Sequence, residues 1–448
     1  MKKALFVIAI ALASYTPLNA AISFNGVSRD VIAVSPESST GLNSVYVIYD
    51  LNGVTAQYTA TSDAKVTWYR YSNLGGGYAE EVGGVSKMGR NYSYPLTGTG
   101  DMGYIIEEGT ARTYFWVVDY SRHQFNINGL DIPTEQECDM TALIPSGSGD
   151  KIIYYSITGV PKELDREIQL TYTTLKYSSD NGGYVQTTEI KSLSYLPATI
   201  HTQAPLCDTD FILSGDRFMK QWGMPQEAVS PNYNTIAVSA ETRASQAERD
   251  NENEKKEEGS QMGGSAPAEI AFSAITTDAA IFKEWQFSYD PEFNDISTRY
   301  NENEITYTFT EEGTTYVRFI ANNAAGNCEY IGETYEVFIG ASRLECPNAF
   351  SPGASEGVND EWKVSYKSII DFECHIFNRW GVKLASFNDP SQGWDGKYKG
   401  KIVPSGVYYY VIKATGSDGK RYDLGGDINV IKAKGNFSSS EENSNPID

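Results

Sequence analysis

Histidine, the usual general base of enzymes, is scarce in this 448-residue sequence, which contains three histidines and five cysteines. A nucleophilic hydrolase needs a base beside its nucleophile. Cys374 and His375 are neighbours on a predicted strand, so their side chains point to opposite faces and form no dyad. The sequence also lacks the His-Glu-x-x-His and Cys-x-x-Cys spacings of zinc sites and the Gly-x-x-x-x-Gly-Lys phosphate loop. We therefore expect no catalytic residue, no metal site and no cofactor.

Basic residues and long apolar runs are also scarce in this sequence. The chain carries 58 acidic against 36 basic residues, a formal net charge of −22, which argues against binding to nucleic acid or anionic lipid. The longest apolar run, Ala4–Leu12, follows two lysines and precedes Leu18-Asn-Ala20, the pattern of a secretory signal peptide. It is shorter than the roughly 20 residues of a membrane-spanning helix. We expect residues 1–20 to be a signal peptide and the protein to be exported through the general secretory pathway.

The five cysteines permit two disulfides in an oxidising compartment, with one cysteine left over. Pairing Cys138 with Cys207 and Cys346 with Cys374 keeps each bridge inside one predicted domain. Cys328 is then the free thiol. Spacing alone does not determine connectivity, so other pairings stay open.

The first part of the chain has the composition of β-strands. Val45–Tyr49, Val66–Tyr71 and Thr113–Val118 are rich in β-branched and aromatic residues and are separated by glycine-rich loops. Trp68 lies on a central strand of this series, as in immunoglobulin-like sandwiches. The sequence therefore predicts an immunoglobulin-like β-sandwich over residues 21–130.

A second set of strands follows. Lys151–Ser156 and Ile168–Thr173 alternate with period two, and Asp180–Gly183 is a typical hairpin turn between two strands. We predict a second β-sandwich over residues 131–240. Residues 241–267 are then dominated by acidic and polar side chains with no apolar residue recurring at helical spacing, which favours a solvated acidic linker or a long exposed loop.

A third β-module is predicted over residues 268–342. Its clearest strands are Trp285–Tyr289, Ile305–Phe309 and Thr315–Asn322. The run from Phe309 to Phe319 resembles the polycystic-kidney-disease-type sandwich. The overall fold class is thus predicted to be all-β, with tandem immunoglobulin-like sandwiches ahead of a last module.

The last module carries a series of short motifs. These motifs are Cys346–Pro352, Gly357–Trp362, Phe372–Gly381, Gly393–Gly396, Val403–Ile412 and Gly425–Ile431. In this order they resemble the gliding-motility-associated (type B) C-terminal domain of proteins exported by the Bacteroidetes type IX secretion system. We assign this β-sandwich sorting domain to residues 343–433, followed by a polar tail over 434–448.

The strand Val407–Ile412 within this module is apolar on both faces. Val407, Tyr409 and Val411 lie on one face, and Tyr408, Tyr410 and Ile412 on the other. Such a strand either lies deep in a sandwich or presents one face to a partner. The sequence leaves these two alternatives open.

The resemblance implies two turns as docking or sorting motifs. One consists of Arg379, Trp380 and Gly381, and the other of Trp394, Asp395 and Gly396. The competing interpretation is structural: the tryptophans belong to the core, and the glycines only permit a positive φ.

These calls together predict a non-enzymatic exported protein. The resemblance implies docking on a PorP/SprF-like outer-membrane protein and other type IX components, at the outer membrane or cell surface, as a component or as a displayed binding arm. The alternatives are a secreted adhesin or ligand-binding cargo and, less favoured, a glycan-active enzyme with two facing carboxylates. The ligand of the preceding sandwiches is not indicated.

Overall fold

The structure, a computed structural model, describes residues 22–255, 262–353 and 359–431. The expected signal peptide and polar tail lie outside these residues. Within the described ranges the regular secondary structure is almost entirely β-strand, which confirms the all-β prediction. None of the helices found there has the length and apolar character needed to cross a membrane. The chain divides into two compact units, residues up to 176 with 186–235, and residues 177–185 with those from 236 onward.

The first unit begins with a sandwich of two sheets. One sheet has the order β1-β4-β8-β7 and the other β2-β3-β10-β9-β5-β6, with β10 parallel to β3. Its strands are β1 Ile22–Asn25, β2 Ile32–Val34, β3 Ser44–Ile48, β4 Thr55–Thr59, β5 Val66–Tyr71, β6 Glu80–Glu81, β7 Ser86–Met88, β8 Asn91–Pro95, β9 Met102–Glu108 and β10 Ala111–Asp119, with 3-10 helices at Ser38–Thr40 and Tyr120–Arg122. Trp68 is 1% exposed and meets Phe115 edge to face, so the predicted central tryptophan is core.

A second sandwich completes the first unit. Its sheets have the orders β11-β12-β17 and β16-β15-β18-β19, with a β13-β14 ribbon beside them. Its elements are β11 Asn126–Asp131, β12 Met140–Ser148, β13 Ile152–Tyr155, β14 Pro161–Leu164, β15 Ile168–Ser178, β16 Gly183–Leu193, β17 Ile200–Gln203, β18 Ile212–Gly215, α1 Arg217–Gln221 and β19 Gln226–Val229. One apolar cluster joins its core to the outer face of the six-stranded sheet, through Trp116 and Val118.

A buried ion pair also ties these two sandwiches together. The side chains of Arg166 and Asp216 are fully buried, and Arg166 Nη1 lies 2.7 Å from Asp216 Oδ2. Arg166 also donates to the carbonyl oxygens of His123 and Asp150, and Tyr120 donates its hydroxyl proton to Asp216. Because every polar group in this cluster is paired, the cluster holds the junction in one arrangement.

Glu108, at the end of β9, is a second buried charge of the first unit. Its carboxylate accepts hydrogen bonds from the Tyr58 hydroxyl (2.6 Å), the Ser62 hydroxyl (2.6 Å) and the Thr61 backbone N–H (3.1 Å). Burial by itself raises the pKa of Glu108, but the hydrogen bonds outweigh burial and lower the pKa to about 2. The ionised carboxylate therefore stabilises the folded state.

We expect Glu108→Gln to destabilise the first unit by on the order of 2 kcal/mol near pH 7, after allowance for solvent screening. The folded pKa lies below the usual value of 4.5. The stabilisation is therefore complete above about pH 4.5 and disappears as the pH falls toward about 2. Urea unfolding of both proteins across this range measures the difference, which should shrink with acidity. A difference that does not change with pH contradicts the assignment, and the exposed Glu80 provides the control Glu80→Gln.

The second unit begins with another sandwich. Its sheets have the orders β20-β22-β25 and β21-β28-β26-β23-β24, with β27 paired to β26. Its strands are β20 Ala240–Gln246, β21 Gly263–Gly264, β22 Ala268–Thr276, β23 Phe282–Ser288, β24 Thr298–Tyr300, β25 Glu304–Phe309, β26 Gly313–Asn322, β27 Glu329–Ile331 and β28 Tyr335–Ile339. Trp285 and Phe272 lie at the centre of its core.

The prediction of a linker over residues 241–267 is wrong at its start. Ala240–Gln246 is a strand paired antiparallel with β22. Ala240 and Thr242 are buried and Ala244 is half-buried, so small side chains alternate into the core with period two. A search for apolar residues at helical spacing does not detect this pattern. Residues 256–261 of the predicted linker lie outside the described residues.

The last module, residues 343–431, is a separate sandwich around its own core. A five-stranded sheet of order β30-β39-β38-β33-β34 lies opposite three two-stranded ribbons, β29-β32, β31-β35 and β36-β37. Its strands are β29 Arg343–Glu345, β30 Ala349–Phe350, β31 Trp362–Lys363, β32 Ser365–Lys367, β33 Ile369–Phe377, β34 Lys383–Phe387, β35 Gly393–Trp394, β36 Lys397–Tyr398, β37 Lys401–Ile402, β38 Gly406–Gly416 and β39 Arg421–Val430.

The first predicted disulfide and the predicted free cysteine differ from expectation. Cys138 and Cys328 are each disulfide-bonded, whereas Cys207 is a thiol whose Sγ lies 3.8 Å from the Thr173 carbonyl oxygen. The predicted Cys138–Cys207 bridge and the predicted free Cys328 are therefore wrong. The physical reason is that chain spacing does not record which sulfur atoms the fold brings together, and Cys207 faces β15.

Cys346 and Cys374 lie in the core cluster of the last module as thiols. Burial raises the pKa of Cys374 to about 12, with a further contribution from the nearby Cys346. Burial also raises the pKa of Cys346. Both groups are therefore poor nucleophiles in this state, and a bridge between them stays a prediction.

Candidate functional site

The first predicted docking motif is a solvent-exposed turn between β33 and β34. Asn378 Oδ1 accepts the backbone N–H groups of Trp380 and Val382, each at 3.0 Å. Gly381 has a φ of +78°, which a turn of this shape requires. The Trp380 side chain is 78% exposed, and the Arg379 guanidinium carbon lies 5.3 Å from its ring centroid. The turn therefore presents an aromatic ring and a cation to solvent.

The second motif is mostly structural. Trp394 is 2% exposed, and its ring centroid lies 5.4 Å from those of Phe350 and Tyr408. Gly396 has a φ of +72°, and a Cβ atom there would lie 2.8 Å from Pro352 Cγ. These two residues therefore match the structural interpretation of the motif.

Asp395 is the polar member of this motif and orders the turn that follows it. Its Oδ1 accepts the Lys397 backbone N–H at 2.9 Å, and its Oδ2 lies 2.8 Å from Lys397 Nζ. Partial burial raises the pKa of Asp395, but the hydrogen bonds from Lys397 outweigh it, so the net pKa is lowered. Asp395 is thus ionised and already occupied by contacts within its own turn.

The exposed turn borders a groove of about 210 Å³ on the last module. Arg379 and Trp380 form one wall, and the start of β38 forms another through Val407 and Tyr408. Tyr398 and Val403 lie in the same groove. An aromatic ring, a guanidinium group and apolar side chains thus meet at one concave surface, as is common in protein recognition sites.

The structure decides whether strand β38 is buried on both faces or presents one face outward. Tyr408 and Ile412 are buried, whereas Val407, Tyr409 and Val411 are 42%, 45% and 40% exposed. We call these three side chains the outer stripe. The strand therefore buries one face in the core and presents the other to solvent.

The outer stripe lies on a rigid part of the module. Strand β38 is flanked by β33 and β39, so both of its edges are hydrogen-bonded. Phe377 and His375 of β33 are register partners of Tyr409 and Val411. The stripe therefore has an aromatic neighbour on the adjacent strand and loses little conformational freedom when it meets a partner.

Two of the three histidines, His123 and His375, contact carboxylates. His123 Nε2 lies 2.6 Å from Asp101 Oδ2, and His375 Nε2 lies 3.1 Å from Glu373 Oε1. Cys374 faces the core while His375 lies on the opposite face of β33, as the alternation predicted. Across the described ranges, no group of three or more His, Cys, Asp or Glu side chains is arranged to hold a metal ion.

Two family models match parts of the chain. The fibronectin type III domain model matches residues 132–230, which is the second sandwich. The CHU_C type IX secretion signal domain model matches residues 344–425, which is the module that carries the exposed turn and the outer stripe. No curated protein matches the chain.

The chain also has weak similarity to solved structures, among them the following three. A tetra-tandem repeat from the extending region of a large adhesion protein is 11% identical, covering 84% of this chain and 95% of that one, with a TM-score of 0.20. The fibronectin(III)-like modules of Clostridium thermocellum CbhA are 12% identical, with coverages of 41% and 98% and a TM-score of 0.18. Dimeric latent PorU from Porphyromonas gingivalis is 11% identical, with coverages of 71% and 35% and a TM-score of 0.15. TM-scores this low support no conclusion about this chain.

The matched domains agree with the sequence resemblance. A fibronectin type III domain and a secretion signal are typical of non-enzymatic proteins of the adhesin type. The signal implies an interaction with the type IX machinery, and export to the surface or the outer membrane. The match identifies residues 344–425 as a type IX secretion signal domain and supports export of the chain by that system.

Proposed function

We propose that this protein is a non-enzymatic surface protein whose signal domain docks on an outer-membrane component of the type IX apparatus, of the PorP/SprF kind. The outer stripe and the Arg379-Trp380 turn form the contact surface. The observation that carries this proposal is the outer stripe, three apolar side chains of a central strand that are each at least 40% exposed. The strand's other face is core, so the fold places these three positions in solvent but does not require them to be apolar.

The groove beside Trp380 gives this surface its specificity. Exposed apolar groups bordered by polar ones mark protein interaction sites. Tryptophan, tyrosine and arginine are the residue types enriched where binding energy concentrates. The signal domain carries one residue of each of these three types on the proposed surface, namely Trp380, Tyr409 and Arg379.

In this proposal the preceding sandwiches form the displayed part. They are folded around their own cores. Their role is to extend from the site of attachment and to meet an outward ligand.

Tyr409→Lys tests the proposed docking surface. A charge in the middle of the outer stripe must be desolvated on docking. We expect the amount of chain held at the outer membrane, and the PorP/SprF-like protein captured with it, to fall about tenfold or more. Lys413→Ala is the matched control, because Lys413 is exposed on the same face of β38. Surface labelling and pull-down from solubilised outer membranes measure both.

The folded state of each variant is checked by thermal unfolding of the full chain. Because Tyr409 faces solvent, its replacement is expected to change stability by no more than about 0.5 kcal/mol. Retention and capture equal to those of the unmodified protein would overturn the docking surface. Equal losses for Tyr409→Lys and Lys413→Ala would show that the effect is not specific to the stripe.

A further inference from the structure

Residues 249–255, here called the strap, leave the third sandwich and add to the signal domain. The Lys255 backbone N–H donates to the Tyr366 carbonyl oxygen at 2.7 Å, and the Tyr366 N–H donates to the Asn253 carbonyl oxygen at 3.0 Å. Glu254 and Tyr366 thus form a parallel β-bridge. Tyr366 belongs to β32, so the strap adds one parallel bridge to the β29-β32 ribbon.

Asn253 contacts two separate segments of the signal domain. Its Nδ2 donates to the carbonyl oxygens of Val364 and Pro390, each at 2.8 Å. Val364 directly follows β31, and Pro390 lies shortly before β35. These two strands pair with each other, with Trp362 opposite Trp394. One side chain of the strap therefore links the residue after β31 to the loop before β35, the strand that carries Trp394 of the second sorting motif.

The strap is anchored by buried charge. The Glu254 side chain is 1% exposed and lies 2.6 Å from Arg249 Nη2. Asn251 donates from Nδ2 to both Glu254 Oε2 and the Tyr366 hydroxyl. Burying a carboxylate is costly unless it is paired and hydrogen-bonded. Because the Glu254 carboxylate is both charge-paired and hydrogen-bonded, this network stabilises the strap in its contact with the signal domain.

A second attachment lies beside the strap. The Ser368 N–H donates to Ser265 Oγ at 2.9 Å, and Ser368 Oγ accepts the Ala266 N–H at 3.2 Å. Arg249 Nη2 also donates to the Ser265 carbonyl oxygen at 2.9 Å. The third sandwich thus holds the signal domain at two successive points along its chain.

We propose that the strap is a part of the export signal, with Asn253 as a positioning residue for the docking surface. This inference rests on the proposed function above. The path is continuous: Asn253 holds the β31-β35 ribbon, Trp394 of β35 packs on Tyr408, and Tyr408 lies between Val407 and Tyr409 of the outer stripe. The signal therefore extends beyond the segment that the family model matches, into the preceding sandwich.

The first test measures hydrogen exchange in the purified full chain. Asn253→Ala removes both side-chain donations, and Glu252→Ala is the matched control because Glu252 is the exposed neighbour on the strap. We expect the backbone amides of residues 393–397 to exchange about tenfold faster in Asn253→Ala and unchanged in Glu252→Ala. Exchange in Asn253→Ala within about twofold of the unmodified chain would overturn the positioning role. If Asn253→Ala does not fold, Asn253→Asp keeps the side-chain shape, removes the donor and gives the same readout.

The second test measures the chain at the cell surface for the same variants beside Tyr409→Lys. We expect a severalfold loss for Asn253→Ala and no loss for Glu252→Ala. Normal display of Asn253→Ala, together with a loss for Tyr409→Lys, would overturn the strap's role and leave the docking surface standing. Normal display of Tyr409→Lys overturns the docking surface itself, and the exchange measurement still decides whether the strap positions the turn.

Discussion

Arg166→Leu is expected to lower the free energy of unfolding of the first unit by about 3–5 kcal/mol. The substitution leaves the fully buried Asp216 carboxylate with hydrogen-bond donors but without its counter-charge. It also removes the donors that pair the carbonyl oxygens of His123 and Asp150. For a unit of about 200 residues, such a loss corresponds to a fall in melting temperature of roughly 6–20 °C. Thermal and urea unfolding of the full chain measure it.

Arg217→Leu is the control for this experiment. Arg217 pairs with Glu167 at 2.6 Å, but the Glu167 side chain is 52% exposed, so we expect a loss of no more than about 1 kcal/mol. Adding Asp216→Asn to Arg166→Leu removes the uncompensated charge and should recover part of the stability. A loss for Arg166→Leu as small as that for Arg217→Leu would contradict the role of the ion pair at the junction.

Trp394→Ala and Trp380→Ala are expected to differ greatly in their effect on stability, although both replace a tryptophan in a predicted docking turn. Trp394 is buried between Phe350 and Tyr408, and its removal should destabilise the signal domain by about 3–5 kcal/mol. Trp380 is 78% exposed, so its removal should change stability by no more than about 0.5 kcal/mol. Urea unfolding measures the free energy of unfolding of each variant, and hydrogen exchange of the β33 and β38 backbone amides measures the loss of stability within the signal domain.

The same pair of variants separates folding from recognition. Trp380→Ala is expected to reduce retention at the outer membrane while the domain stays folded, because the ring faces the groove and not the core. Trp394→Ala should reduce retention only in proportion to its unfolded fraction. A normally retained Trp380→Ala variant would remove this ring from the docking surface, and an equally stable Trp394→Ala variant would contradict its place in the core.

Most of the architecture was predictable from local patterns. A composition rich in β-branched and aromatic residues identifies strands such as β5. Period-two alternation identifies strands such as β15, because one face of such a strand packs on a core and the other does not. The ordered motifs of the last module identify a type IX signal domain, which the family model confirms. The predicted signal peptide and the docking roles of the two turns stay predictions.

The errors have physical causes. Ala240, Thr242 and Ala244 are small, so the strand they form has little apolar signal and resembles the acidic segment that follows it. The strap is rich in Asn and Glu, residues that are normally solvated, and only its tertiary contacts show that Glu254 is buried. The prediction that Cys138 forms a disulfide is right, but its predicted pairing with Cys207 and the predicted free state of Cys328 are wrong, because connectivity depends on distances that chain spacing does not contain.

Residue order alone is sufficient for the all-β class, the sequence of sandwiches and the presence of the signal domain, because each depends on local periodicity or on short contiguous motifs. The exposure of Trp380, the burial of Trp394 and the solvent-facing side of β38 depend on the tertiary structure. Two Trp-containing turns of similar composition differ only in whether another part of the chain covers them. The same holds for Asn253, whose two acceptors lie more than a hundred residues away in sequence and come within hydrogen-bonding distance only when the domain is folded.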